Sequence, residues 1–399
     1  MNLGDGVHLT YCSNIHPGET LDEVEASLRR HLPEVRALVA PGQRFGIGLR
    51  LSARAADALA DPGRLSRFRQ FLEHDGFYVF TLNGFPYGDF HGVQVKEAVY
   101  RPDWRHPERL RYTNVLAGVL AALLPADGDL CGSVSTVPGA YKSEIRGDAD
   151  IAAMRDNLVR HAAHLVDIER TTGRRIQLAL EPEPCCFLET IDEAVAFFQD
   201  QLFSPEAAAL LGEISDLDPA AAQAALRAHL GLCLDLCHAA VEFEHPDRCI
   251  ERLEEAGIGI FKLQISAGVQ VQDFSPEAEQ ALRAYIDPVY LHQVVERRPD
   301  GLRRFADLPQ ALSSLGHPGQ PGEWRMHFHV PVFHDRLGPF RSTRDFIETV
   351  LARHRRRTVS RHLEVETYTW DVLPQALKES SVDRAIAREL NWVKEALAE

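Results

Sequence analysis

The stretch Ile176-Gln177-Leu178-Ala179-Leu180-Glu181-Pro182-Glu183-Pro184 carries the pattern that decides the fold of this chain. It is a short apolar run that ends in a carboxylate and is followed by prolines. Eight comparable runs occur elsewhere, typically followed by a longer stretch of Ala, Leu, Arg and Glu with helical spacing. Strands that alternate with helices predict βαβ units and a mainly parallel sheet. The other runs cover residues 6–12, 45–51, 77–82, 130–136, 230–236, 258–265, 325–333 and 362–368.

The number of these units predicts an α/β fold of the (β/α)8 TIM-barrel type. The alternative, a doubly wound sheet, ordinarily carries a Gly-rich nucleotide-binding turn after its first strand. This sequence has no such turn, so we predict no nucleotide or redox cofactor. A barrel needs eight strands and nine runs are present, so one late run is accessory. Either 258–265 or 325–333 can be the seventh barrel strand, and the pattern alone leaves both open.

Composition and charge exclude several classes of function. The 399 residues are 45% hydrophobic, and 58 acidic against 43 basic residues give a net charge of −15. This charge repels phosphate backbones and anionic membrane surfaces, so we expect no nucleic-acid partner and no direct membrane insertion. No signal peptide is visible, and the longest apolar stretch, 115–124, is too short to span a bilayer. Seven cysteines do not suggest a disulfide framework, so a reduced, cytoplasmic protein is predicted.

The chain is predicted to form one elaborated domain over residues 1–375, closed by a C-terminal helix at 376–399. Thr20 and Glu23 have the spacing of a capping box at the start of the first helix. Two insertions interrupt the βα pattern, a helical pair at about 203–230 and a Pro/Gly-rich segment at about 293–323. The second insertion is a candidate lid or oligomer contact, so a homodimer is one expected state.

Polar residues at the carboxyl ends of the predicted strands are the candidates for chemistry, because TIM-barrel active sites lie there. Several carboxylates and imidazoles at one rim need a counter-charge. A divalent metal supplies it, and mixed oxygen and nitrogen ligation suits Mn, Co, Zn or Mg. The candidates are Glu181, the pair Asp235 and His238, Lys262 with Gln264, His327 with His329, and His362 with Glu364 and Glu366.

Each candidate also has a purely structural interpretation. Glu181 can cap the next helix, and Asp235 with His238 can be a hydrogen-bonded pair. Lys262 inside a strand is better explained by an ion pair than by Schiff-base chemistry. A serine hydrolase has no support, because residues 132–136 do not form the GxSxG turn.

The Glu181-Pro182-Glu183-Pro184 segment, Asp235 followed by His238, and the terminal Glu366 resemble motifs of the xylose isomerase-like TIM barrels. In the epimerase branch of that superfamily the metal is held by Glu, Asp, His and Glu from strands five to eight. The resemblance therefore implies the metal ligands Glu181, Asp235, a histidine and Glu366. The strand-seven match is Gln264 rather than histidine, so we favour His329 as the ligand, with Gln264 beside it.

Three further segments, residues 10–19, 82–88 and 362–370, resemble the EboE-type metabolite traffic proteins. That resemblance implies processing or export of a small secondary-metabolite precursor, and a functional link to a prenyltransferase-like membrane protein. It also places several polar side chains at loop tips, as candidate substrate contacts. The substrate-binding candidates are Asn14, His16, Asn83 and Lys142, together with His8, His238, Gln264, His327 and Glu364.

The functional hypothesis is a metal-dependent isomerase or epimerase acting on a sugar-like or polyhydroxylated small metabolite. Glu181 and Glu366 would be the catalytic pair, moving a proton at the carbon next to a carbonyl. Two alternatives use the same fold. One is a non-catalytic protein that binds a metabolite and hands it on, and the other is a metal-assisted hydrolase.

Overall fold

The structure, a computed structural model, describes residues 1–91, 95–126, 130–315 and 322–398. Fifteen strands occur in these ranges, in two sheets. They are β1 Asn2–Gly4, β2 Val7–Tyr11, β3 Phe45–Arg50, β4 Phe77–Asn83, β5 Gly132–Thr136, β6 Ile176–Leu180, β7 Leu230–Asp235, β8 Ile260–Ile265, β9 Ala267–Val271, β10 Val294–Arg298, β11 Gly301–Phe305, β12 Glu323–Val330, β13 Arg336–Leu337, β14 Phe340–Ser342 and β15 His362–Val365.

The α-helices follow the barrel strands and cover their outer face. In the described ranges they are α1 Leu21–Val39, α2 Ala53–Leu59, α3 Pro62–His74, α4 Pro107–Leu123, α5 Asp148–Thr172, α6 Ile191–Phe197, α7 Pro205–Ser215, α8 Pro219–His229, α9 Leu236–Val241, α10 Pro246–Ala256, α11 Pro276–Leu282, α12 Leu308–Ser313, α13 Arg344–Arg356 and α14 Val382–Ala398. The capping box is present at α1, where Thr20 Oγ1 accepts from the Glu23 backbone N–H at 3.3 Å. Among these helices none is long and apolar enough to cross a membrane.

The first sheet confirms the predicted TIM barrel. Eight parallel strands lie in the order β2-β15-β8-β7-β6-β5-β4-β3, with the short antiparallel β1 beside β2. The remaining seam between β2 and β3 is held by a parallel bridge from Cys12 to Gly48 and by Thr10 Oγ1, which donates to the Gly46 carbonyl at 2.7 Å. Most of these strands are buried on both faces, as expected when helices surround a parallel sheet.

The structure settles which late run belongs to the barrel. The strand β8 pairs in parallel with both β7 and β15, so the run 258–265 supplies the seventh barrel strand. The run 325–333 supplies β12 instead, which pairs antiparallel with β9 and β10 in a second, six-stranded sheet. That sheet stands over the carboxyl end of β8, because β9 begins two residues after β8 ends.

The two sequence insertions contribute different structures. The helices α7 and α8 occupy the first, between β6 and β7. The second contains the β10–β11 hairpin, paired from Val294 with Phe305 to Arg298 with Gly301, followed by α12. Its residues 316–321 lie outside the described ranges. The closing helix α14 packs against α1 and α13, and Lys394 Nζ donates to the Val39 carbonyl at 2.7 Å.

Candidate active site

Three buried carboxylates meet at the carboxyl end of the barrel. Glu181 follows β6, Asp235 ends β7 and Glu366 follows β15, and each is at most 5% exposed. Their oxygen atoms lie within 4.8 Å of one another. Glu181 Oε2 and Asp235 Oδ2 have no hydrogen-bond partner among the described residues. Buried unpartnered carboxylate oxygens are unfavourable unless a proton or a cation joins them.

The repulsion among these groups shifts their proton affinity. Burial, together with the neighbouring Glu366 and Asp235, raises the pKa of Glu181 well above its ordinary value. Burial likewise raises the pKa of Glu366 to about 7, and Asp235 contributes to the shift. The mutual repulsion of the carboxylates therefore favours the binding of positive charge, which a divalent cation would supply.

Gln264 occupies the position on β8 that faces the carboxylates. Its side-chain Nε2 donates to Glu181 Oε1 at 3.2 Å and also to Glu366 Oε2. Glu366 Oε1 accepts two more amide hydrogen bonds, from Asn14 at 2.6 Å and from Asn83 at 3.1 Å. Three neutral amides thus fix the orientation of Glu366 without neutralising it.

The imidazoles come from outside the barrel strands. His327 and His329 lie on β12 and are buried, and His238 lies in α9, whose start is capped by Asp235 Oδ1 accepting from the His238 backbone N–H at 2.9 Å. The accessory strand thereby delivers histidines that β8 itself lacks. This is how a glutamine on strand seven and a histidine in the site coexist.

Hydrogen bonds to oxygen atoms fix the tautomers of the three rings. His238 Nδ1 donates to the Pro182 carbonyl at 2.9 Å, and His329 Nδ1 donates to the Glu366 carbonyl at 2.9 Å. His327 Nδ1 donates to Gln293 Oε1 at 2.8 Å. Carbonyl oxygens only accept, so each Nδ1 carries a hydrogen and is used within the protein, which leaves Nε2 as the ring nitrogen directed at the site.

The three Nε2 atoms face one another. His327 Nε2 lies 3.2 Å from His238 Nε2 and 3.3 Å from His329 Nε2. Burial lowers the pKa of His329 to about 4 and holds the pKa of His327 well below its ordinary value, so both rings are neutral at pH 7. Converging lone pairs next to unpartnered carboxylates are a donor set that fits a divalent cation. Asp235, His238 and His329 offer ligand atoms within 4.8 Å of one another.

A cavity with about 540 Å³ of empty space, part of it open to solvent, lies above these groups. Its floor is polar and its walls are mainly apolar. The floor contains Asn14, Asn83, Glu181, Glu183, His238, His327 and Glu366. The walls contain Phe85, Pro86, Phe90, Val95, Val99, Tyr100, Tyr290, Leu291 and Tyr368.

Five residues that the sequence analysis named as substrate contacts do not line this cavity: Gln264, Lys142, His16, His8 and Glu364. Gln264 contacts Glu181 and Glu366 at the floor. Lys142 pairs with Glu189 at 2.8 Å and Glu193 at 2.7 Å, and His16 stacks on His31 with ring centroids 4.1 Å apart. Both side chains are thus engaged with partners away from the cavity lining. We therefore propose no substrate contact for either.

His8 and Glu364 lie on barrel strands, but at the wrong height. His8 is the second residue of β2, near the amino end, and its Nδ1 lies 2.7 Å from the Tyr78 hydroxyl. Glu364 lies two residues before Glu366 and forms a fully buried ion pair with Lys262 at 2.6 Å. Strand alternation correctly gives the face of a side chain, but not its depth in the barrel. We propose no substrate contact for these two either.

Sequence reasoning missed part of the wall. The Tyr100 hydroxyl donates to Glu183 Oε1 at 2.8 Å, and Gln293 Nε2 donates to the Tyr100 hydroxyl at 2.8 Å. Glu183 belongs to the segment Glu181-Pro182-Glu183-Pro184, and the presence of a second carboxylate in that segment was the signal that could have marked it. Nothing in the local pattern marks Tyr100 or Gln293, because both are brought in by loops that pass over the barrel.

Comparisons with known proteins agree with this architecture. No protein-family model matches the chain, and no curated protein matches its sequence. A xylose isomerase-like TIM barrel protein from Mycobacterium smegmatis, solved in complex with magnesium, is 15% identical with a TM-score of 0.50, over 98% of this chain and 96% of that one. The IolI protein with a bound zinc atom is 12% identical with a TM-score of 0.48, over 98% of both chains. A D-tagatose 3-epimerase-like protein is 12% identical with a TM-score of 0.45, over 98% of this chain and 97% of that one. The fold is that of the xylose isomerase-like TIM barrels.

Proposed function

We propose that this protein is a metal-dependent isomerase or epimerase that acts on a small hydroxylated carbonyl compound. The observation that carries the proposal is the cluster of Glu181, Asp235 and Glu366, three buried carboxylates with two unpartnered oxygens, beside the free Nε2 of His329. These four residues would hold a divalent metal. When bound, such an ion would polarise a carbonyl oxygen and an adjacent hydroxyl.

The residues of the chain supply the remaining chemistry. Glu181 and Glu366 follow different strands, β6 and β15, at the cavity floor, and would remove and return the proton on the carbon next to the carbonyl. Asn14, Asn83 and Gln264 hold Glu366 in one orientation for this transfer. The His238 and His327 rings line the same floor and would bind a substrate oxygen.

The finer role rests on the resemblance to the EboE-type proteins. We propose that the reaction processes the precursor of a secondary metabolite, in functional connection with a prenyltransferase-like membrane protein. The single-domain organisation with insertions at about 203–230 and 293–323, and a homodimeric state, belong to the same proposal.

The test is metal content by elemental analysis of protein purified without added metal or an affinity tag. We expect near-stoichiometric Mn, Co, Zn or Mg in the wild type and its loss in the double variant Glu181→Gln/Asp235→Asn. Glu244→Gln is the matched control, because Glu244 is a half-buried carboxylate outside the cavity. Wild-type protein that is metal-free and ignores added Mn and Zn would refute the metal centre.

One observation favours a second function, a non-catalytic protein that binds a metabolite and hands it on. The Gln264 amide bridges Glu181 and Glu366, so each carboxylate already has one satisfied oxygen without any metal. This alternative expects metal-independent ligand binding and no turnover. Gln264→His separates the two functions, because a fourth imidazole should strengthen metal binding only in a working metal site.

A further inference from the structure

Three aromatic rings form one side of the cavity above the polar floor. Phe90, Tyr290 and Tyr368 contact one another with ring centroids 5.1 to 5.5 Å apart. They form a small apolar cluster with Val95, separate from the main core of the barrel. Tyr368 also lies against His329, with centroids 4.7 Å apart, so the aromatic surface begins where the candidate metal ligands end.

Two of the three tyrosines in this wall, Tyr290 and Tyr100, present hydrocarbon rather than hydroxyl groups to a ligand. The Tyr290 hydroxyl donates to the Phe90 carbonyl at 3.2 Å. The Tyr100 hydroxyl donates to Glu183 Oε1 at 2.8 Å. Because protein acceptors occupy both hydroxyls, the ring faces are what remains to contact a ligand.

Among the described residues that line the cavity, Lys96 is the one with a lysine or arginine cation. Its ammonium group is fully used within the protein. Nζ donates to the carbonyls of Asp287 at 3.0 Å and Tyr290 at 2.7 Å, and to Asp307 Oδ2 at 2.6 Å. An ammonium has three hydrogens, so these three bonds leave none for a ligand.

The backbone around Lys96 shows that this arrangement is built into the fold. Both Val95 and Lys96 donate backbone N–H groups to the Val289 carbonyl, at 2.9 and 3.0 Å. Lys96 has a φ of 40°, in the left-handed region that side chains with a β-carbon disfavour. Lys96 therefore fastens the two segments that form the aromatic wall, and does not serve as an anion-binding side chain.

We propose that the ligand of this cavity is an unphosphorylated compound with two parts, a hydroxylated carbonyl head and an apolar aryl or alkyl body. The head is placed on the floor, and this half of the assignment rests on the proposed function. The body lies against Phe90, Tyr290 and Tyr368, and this half rests on the walls alone. The side chains of the protein disfavour a phosphate, because the floor offers carboxylates and Lys96 offers no free hydrogen.

The test is ligand-observed NMR on the full chain with four probes: phenol, phenyl β-D-glucopyranoside, D-glucose and D-glucose 6-phosphate. We expect phenol and phenyl glucoside to bind and to compete with each other. Phe90→Ala should weaken both by about tenfold, the effect of losing one aromatic contact. Phe333→Ala is the control, a ring of similar burial outside the cavity, and Phe90→Leu keeps an apolar volume should the alanine variant fold poorly.

Phenol has no sugar part, so its binding tests the aromatic wall whichever sugar stereochemistry the floor accepts. If phenol does not bind, if Phe90→Ala leaves its affinity unchanged, or if glucose 6-phosphate binds more tightly than glucose, the proposal is overturned. Glu181→Gln should not alter phenol affinity. Protein that is metal-free as purified, ignores added Mn and Zn, and still binds phenol at Phe90 would refute the proposed metal centre and retain this inference, so the two failures are distinguishable.

Discussion

Glu364 lies on the last barrel strand, β15, and Glu366 follows two residues later, just after that strand ends. Both side chains are buried, yet their surroundings differ. Glu364 lies deeper and forms an ion pair with Lys262 at 2.6 Å, with both side chains fully buried. Glu366 lies at the mouth and receives only neutral amides from Asn14, Asn83 and Gln264. The lower layer of the barrel, which contains Lys262 and Glu364, neutralises its charge within the protein. The upper layer, which contains Glu366, leaves its negative charge to be neutralised by a bound ion or ligand. This is the division between stability and function that TIM barrels show along their axis.

The backbone supports the deeper layer as well. A β-carbon on Gly48 would lie 1.8 Å from Glu364 Oε2, so only glycine admits the carboxylate at that depth. Lys262 Nζ also donates to Ser135 Oγ at 3.2 Å. The ion pair thus lies fully buried inside the barrel, whereas Glu181 and Glu366 border the cavity.

The largest expected effect comes from breaking the balanced layer. Lys262→Met leaves Glu364 buried without its counter-charge and should lower the free energy of unfolding by about 3 to 5 kcal/mol. The double variant Lys262→Met/Glu364→Leu should recover most of that loss, because it removes both charges. Urea unfolding followed by circular dichroism measures both. A single variant as stable as the wild type would show that the ion pair does not govern the lower layer.

A smaller effect of opposite sign is expected in the upper layer. In metal-stripped protein Glu181→Gln removes one of three repelling carboxylates, and should raise the free energy of unfolding by about 1 to 2 kcal/mol. Adding Mn or Zn should reverse the order, since the ion stabilises only the wild-type site. The measurement is urea unfolding with and without EDTA. A variant less stable than the wild type in EDTA would contradict the idea that this layer is strained for function.

The comparison also shows what the sequence could predict. The alternation of runs and helical stretches was sufficient for the barrel, and the position of Glu181, Asp235 and Glu366 at the carboxyl ends of β6, β7 and β15 was predictable because each residue closes an apolar run. His329, on the run that forms β12, was predicted from the sequence as a ligand, but the pairing of that strand was not accessible, because it joins β12 to β9 across about 55 residues. Depth was also missed. His8 and Glu364 satisfy the period of two but lie below the cavity, and the height of a side chain depends on the stagger of neighbouring strands.

Glu389 on α14 is another buried carboxylate, and its titration extends the comparison to the dependence of stability on pH. It accepts hydrogen bonds from the Val332 backbone N–H at 3.1 Å and from the Thr367 hydroxyl at 2.7 Å, and burial raises its pKa to about 7. The folded state therefore holds a proton that the unfolded state releases near pH 4.5. This contribution to stability is complete below pH 4.5 and is lost as the pH rises through about 7.

The matched variant for this test is Glu389→Gln, which keeps an acceptor oxygen and removes the titration. Between pH 5 and pH 8 the wild type should lose at least about 1 kcal/mol of unfolding free energy relative to Glu389→Gln. Urea titrations of both proteins across that range provide the measurement. Parallel pH profiles would show that Glu389 is ionised in the fold and is balanced by its two donors alone.

The smallest expected effect concerns the amides that orient Glu366. Asn14 is the better choice for substitution, because Asn83 also accepts from the Phe85 backbone N–H at 3.0 Å and its loss would disturb that turn. Asn14→Ala removes one of the amide donors to Glu366 Oε1, and should weaken metal binding by about tenfold while leaving unfolding within about 1 kcal/mol of the wild type. Asn391→Ala, an amide on the surface of α14, is the control. Competition with a chelating dye measures the affinity. If Asn14→Ala bound metal as tightly as the wild type, the amides would be packing around Glu366 rather than orienting it, and the upper layer would resemble the lower one more closely than the structure suggests.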